Sequence, residues 1–140
     1  MQKKVVVVLQ VFATLVLVLC FALPGRLVAS AMSAQRKGAG LTQKSITIDG
    51  HKIVYLEGGT GDPILMVHGF SANKDNWTAF AKFFTPTYHV LALDLPGFGE
   101  STYLENASYS IEAQAKRIDQ FATAVGLKKF HIVGNSMGGP

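Results

Sequence analysis

Three short, mostly apolar runs, Ile64–Val67, Val90–Leu93 and Phe130–Val133, set the tightest limit on what this chain can fold into. Runs of this length and continuity suit strands covered on both faces. Between them lie two stretches with helical spacing. Trp77, Phe80, Ala81 and Phe84 recur at i, i+3, i+4 and i+7, with Asn73 or Asp75 placed to cap them. Ile111, Ala115, Ile118, Ala122 and Val125 make a second stripe, with Ser110 as its cap and Gly126 past its end. Strand, helix, strand, helix, strand is the pattern of a parallel sheet with helices packed on it. Upstream, the β-branched runs Ser45–Ile48 and Lys52–Leu56 flank Asp49-Gly50, the signature of a type I′ hairpin. The predicted fold class is therefore α/β: a mostly parallel sheet opened by an antiparallel hairpin, helices on both faces, and an N-terminal hydrophobic helix in front.

That last element comes from Val5–Leu23, 19 residues interrupted only by Gln10 and Thr14, preceded by Lys3 and Lys4 and followed by Pro24-Gly25. Its length fits a membrane anchor, since about 20 apolar residues cross the hydrocarbon core. The basic start, the helix breaker and the small residues Ala29-Ser30-Ala31 fit a secretory signal instead, although the run is longer than the usual apolar stretch of about 7–15 residues, which favours the anchor. Ser30–Gly40 reads as a linker. The net charge of +4 belongs to this leader: Lys3, Lys4, Arg26, Arg36 and Lys37 face no acid within residues 1–40, leaving eight bases against nine acids in residues 41–140. A folded part of near-zero charge gives no footprint for nucleic acid. The single cysteine, Cys20, lies in the leader and excludes an intrachain disulfide or a cysteine-based site in the body.

All three apolar runs end in glycine-bearing loops: His68-Gly69-Phe70, Asp94-Leu95-Pro96-Gly97-Phe98-Gly99-Glu100-Ser101 and Gly134-Asn135-Ser136-Met137-Gly138-Gly139. Ligands of open α/β sheets bind where strands deliver their carboxyl ends. Gly134-x-Ser136-x-Gly138 allows a sharp strand-to-helix reversal that exposes a serine hydroxyl, the glycines being needed because a Cβ would clash. The plain alternative for Ser136 is a turn serine.

These residues, ILMVHGF from Ile64 with the following SANKDNW, DLPGFGES from Asp94 and HIVGNSMGG from His131, resemble the serine-nucleophile α/β hydrolases, and within them the monoacylglycerol lipase and esterase branch. The resemblance covers residues 45–140. It implies that Ser136 is an acyl-accepting nucleophile and that the backbone N–H groups of Phe70 and Met137 form an oxyanion hole, with no metal or organic cofactor. It assigns loop-shaping roles to His68, Gly69, Asp94, Gly134 and Gly138. Asp94 as triad acid, and His68, His51, His89 or His131 as base, are the rival assignments, but the family's triad runs serine, acid, histidine in chain order.

The expected organisation is thus an anchor or signal at 1–29, a linker at 30–44 and the N-terminal portion of a hydrolase domain at 45–140. A lipid ester, monoacylglycerol-like, is the expected substrate, and residues 5–23 the expected contact with a membrane. The hydrolase part is expected outside the cytoplasm, anchored or released after signal cleavage. With no acid and histidine after Ser136, residues 1–140 alone are expected to be inactive. A carbon–carbon bond hydrolase of aromatic degradation and a non-catalytic, membrane-tethered binding protein are the other readings. Oligomeric state leaves no trace in the sequence.

Overall fold

The structure is a computed structural model and describes residues 25–139. The chain divides into two units, Met1–Ala34 and Gln35–Pro140, and the elements that build the site lie in the second. The apolar run 5–23, and with it the expected hydrophobic helix, lies outside the described residues. No helix among the described residues is long and apolar enough to cross a membrane.

The stretch read as a linker, 30–44, carries regular structure. Residues 25–38 are helical (α1), and β1 (Leu41–Ile48) begins three residues later. Gly40, at φ +71°, makes the sharp exit between them, with its N–H on Lys37 O. β1 pairs antiparallel with β2 (His51–Gly58) through a two-residue turn in which Asp49 and Gly50 both have positive φ, 47° and 78°, as a type I′ hairpin requires.

β3 (Asp62–Val67), β4 (Tyr88–Leu93) and β5 (His131–Gly134) are mutually parallel, and the sheet order is β1-β2-β4-β3-β5. Alternate side chains of the central strands enter two cores. Leu65, Val67, Leu91 and Leu93 pack with Phe121 and Ala122 of α3 (Ile111–Ala124), while Ile64, Met66, Val90 and Ala92 pack with Ala81 of α2 (Thr78–Ala81) and with Leu41 and Leu56. Period-2 alternation with apolar residues on both faces is what makes β3 and β4 continuous apolar runs in sequence.

Two expectations about the helices are corrected. The helix over Trp77–Phe84 is broken: a 3₁₀ turn at Lys74–Trp77, one α turn at α2, then single turns to residue 87. Pro86 disfavours helical backbone at Thr85 and ends the element, and the bonds Phe83 N–H to Phe80 O and Phe84 N–H to Ala81 O already show 3₁₀ tightening. Asn73, the expected cap, forms a complete capping box with Asn76. On α3, Ser110 caps as expected, but the buried face runs through Gln114, Ile118, Phe121 and Ala122 while Ile111 is 56% exposed. The third apolar run, Phe130–Val133, supplies β5 at the edge of the described sheet, with Ile132 57% exposed.

Candidate active site

The carboxyl ends of β3, β4 and β5 bring the three glycine-bearing loops together. β5 enters its turn through Asn135, whose N–H donates to Val67 O at 3.1 Å and so ties the turn to the end of β3. Ser136 follows with φ +52°, a left-handed conformation that costs a non-glycine residue of order 1–3 kcal/mol and needs its surroundings to hold it. The flanking glycines are steric necessities. A Cβ on Gly134 would lie 1.9 Å from Gly138 O, and one on Gly138 would lie 2.4 Å from Val67 O. The turn closes with Gly138 N–H on Asn135 O and Gly139 N–H on Ser136 O, both 2.9 Å, so the bonds of this short 3₁₀ turn begin after Met137. Met137 packs its side chain against the α3-side core, and Ser136 is exposed.

Opposite stands the loop after β3. A Cβ on Gly69 would lie 2.9 Å from Asn135 O and 3.1 Å from Ser136 Cβ, so this loop touches the serine turn backbone to backbone. His68, 1% exposed, controls its direction. The Leu95 N–H donates to His68 Nε2 at 3.0 Å, which requires that nitrogen to be unprotonated. Nδ1 then carries the hydrogen and donates to Gly69 O at 2.7 Å. The carbonyl of Gly69 and the N–H of Phe70 belong to one trans peptide plane and point in opposite directions, so holding the first aims the second. Burial keeps the His68 ring below its ordinary 6.5, against the opposing pull of the Gly69 carbonyl and the nearby Asp94 charge. Phe70 itself is 73% exposed, edge-on to Phe98 from the second loop.

That second loop is organised by Asp94, which is fully buried. Its carboxylate accepts from Lys74 N–H at 2.7 Å, Lys74 Nζ at 2.8 Å and Glu100 N–H at 2.8 Å. Gly99 passes so close that a Cβ there would sit 2.3 Å from Asp94 Cγ. The Asp94 carbonyl accepts from the Ser101 hydroxyl, which in turn accepts from Val54 N–H. Asp94 is therefore committed to ordering two loops. The remaining histidines are placed elsewhere: His51 Nδ1 lies 3.2 Å from Asp49 O at the hairpin, His89 Nε2 2.7 Å from Glu57, and His131 at the amino end of β5.

A model of the α/β hydrolase fold matches residues 62–140. The chain belongs to the α/β-hydrolase fold family. Among relatives of this α/β hydrolase, Lipase 1 of Psychrobacter immobilis is 44% identical over 109 residues, 75% of this chain and 34% of that protein. Monoacylglycerol lipase abhd6-A of Xenopus laevis is 39% identical over 109 residues, 74% of this chain and 32% of that protein. Among solved structures, a membrane phospholipase A, a bacterial virulence factor, matches with a TM-score of 0.88 at 43% identity, covering 99% of this chain and 45% of that one. The chain spans about a third of the length of these two relatives.

Within the α/β-hydrolase site, sequence reasoning singled out Ser136, Phe70, Met137, His68, Gly69, Asp94, Gly134 and Gly138, and the fold brings all eight residues to one sheet edge. It missed Lys74 and Ser101. Both lie in the stretches that carry the resemblance, Lys74 in SANKDNW and Ser101 at the end of DLPGFGES, but only their burial marks them as part of the site. An apolar groove of about 340 Å³, walled by Leu95, Ile111, Ile118, Ile132 and Met137, runs beside the turn without Ser136 among its walls.

Proposed function

We propose that the full-length protein is a serine hydrolase that cleaves carboxylic esters, of lipid, monoacylglycerol-like type, through an acyl-enzyme on Ser136. The observation that carries this reading is the strained, exposed Ser136 held against the Gly69 loop, in which His68 directs the Phe70 peptide. Ser136 Oγ attacks the ester carbonyl, the N–H groups of Phe70 and Met137 receive the oxyanion, the alcohol leaves, and water then releases the acid. One oxyanion donor of this kind is worth about 2.7–4 kcal/mol in the transition state.

Both ring nitrogens of His68 are engaged and the other three histidines stand elsewhere, so the base and its acid are proposed to come from outside residues 1–140. The 140-residue chain alone then has no appreciable turnover. The lipid preference draws on the names of the relatives and on the apolar run 5–23, which is proposed to keep the enzyme at a membrane with its hydrolase part outside the cytoplasm.

The test is labelling of the full-length protein with a fluorophosphonate, alongside Ser136→Ala, and turnover of a monoacylglycerol against a short soluble ester. Labelling of the wild type and none of the variant is the expected result. Equal labelling of both would sink the assignment of Ser136, and ester turnover by residues 1–140 would sink the proposed external base.

A further inference from the structure

Lys74 is a fully buried lysine, 1% exposed. Lysine is almost never found so deep unless paired, and here three carboxylates surround its ammonium: Asp94 Oδ2 at 2.8 Å, Glu100 Oε1 at 2.7 Å and Asp75 Oδ2 at 3.5 Å. Asp75 is itself gripped by Arg36, whose Nε and Nη2 donate at 2.6 and 2.7 Å. Arg36 also reaches Gln43 and Glu100. The cluster therefore has two cations and three anions, with Lys74 at its centre.

Stability alone is a poor account of such a cluster. A buried ion pair barely repays the water it loses, and well-packed apolar residues of the same volume are often as stable. What an apolar core cannot do is fix one loop's register on another. Asp94 holds Lys74 by both ends, its backbone N–H and its ammonium, and takes the Glu100 N–H as well. The adjacent residue, Leu95, holds His68. The loop from His68 to Lys74 is thus pinned at its two ends to consecutive residues of the loop after β4, and Gly69, Phe70 and Ser71, the last at φ +56°, are suspended between the pins.

We propose that Lys74 is a positioning residue: its ammonium, shared by Asp94 and Glu100, pins the far end of the Phe70 loop and thereby sets where the Phe70 N–H stands relative to Ser136. This rests on the reading of Ser136 as an acyl-accepting nucleophile.

The experiment uses the full-length protein, wild type and Lys74→Met, with ester kcat and KM, inhibition by a trifluoromethyl ketone that forms an oxyanion adduct on serine, and thermal unfolding. A misplacement near 1 Å costs about 100-fold in rate, so kcat is expected to fall about 100-fold in Lys74→Met with KM unchanged and ketone affinity falling in parallel. A lowered melting temperature with kcat and ketone affinity retained would show a structural role only and overturn the proposal. Glu100→Gln, at a half-exposed carboxylate, covers the case in which Lys74→Met does not fold. It weakens a charge-assisted bond to the same ammonium, and a kcat loss of about fivefold at constant KM is expected. Wild-type kcat in Glu100→Gln would then overturn the proposal. A wild-type protein that neither turns over esters nor reacts with fluorophosphonate fails the Ser136 reading itself, which separates the two.

Discussion

Replacing Gly69 with alanine puts one methyl group where the Phe70 loop meets the serine turn. Ordinary contact for a Cβ begins near 3.4 Å, and this one would stand 2.9 Å from Asn135 O and 3.1 Å from Ser136 Cβ. The overlap is therefore about 0.5 Å. The turn has little room to yield, since Asn135 N–H is on Val67 O and Asn135 O accepts from Gly138 N–H. The loop must retreat instead, against the bonds from His68 and Lys74. If 1 Å of misplacement costs about 100-fold, half of that costs about tenfold, or about 1.4 kcal/mol of transition-state stabilisation. Overpacking of this size costs a further 1–3 kcal/mol or so in stability. Gly69 does not have positive φ, so no backbone penalty is added. The assay is kcat and KM of full-length wild type and Gly69→Ala on a short ester, with thermal unfolding of both. A tenfold loss in kcat at unchanged KM is expected. Loss of stability with kcat intact would mean that loop and turn shift as one body, and the reasoning would be refuted.

Ser101→Ala removes a hydroxyl that donates to Asp94 O at 2.7 Å and accepts from Val54 N–H at 2.9 Å in a buried setting, so denaturant unfolding is expected to show a loss of about 1–3 kcal/mol at an unchanged denaturant slope. A loss below about 0.5 kcal/mol would mean that water replaces both bonds. His68 predicts an acid dependence. Burial keeps its folded-state pKa below the unfolded 6.5, so the native state binds fewer protons; its contribution is whole above 6.5 and declines as pH falls from there toward the folded value. Stability of the wild type is expected to drop more steeply than that of His68→Gln below pH 6.5, and parallel curves would contradict the neutral, doubly bonded ring.

The βαβ order, the type I′ hairpin, both helix caps and the three loops were legible because each is a local matter. Alternation of apolar residues, Asp49-Gly50 at a two-residue turn, and Asn73 and Ser110 beside helical stripes act within a few residues of one another. The break in the first helix was present in sequence as Pro86, but four apolar residues at helical spacing outweighed it. On α3 the stripe through Ile111 and Ala115 was read from spacing alone, and which face is buried depends on what packs there. Ile111 instead borders the open groove beside Met137.

The sequence by itself determined the class of fold and marked Ser136 as the hydroxyl proposed as nucleophile, because strand periodicity and a glycine-flanked turn are written in adjacent residues. The tertiary structure alone decided what His68, Lys74 and Asp94 do. Lys74 lies 20 residues from Asp94 and 26 from Glu100, His68 27 from Leu95, and the bonds between them form only when the sheet sets the ends of β3 and β4 side by side. A lysine in a polar stretch looks like solvated surface until folding removes its water and leaves carboxylates as its only partners.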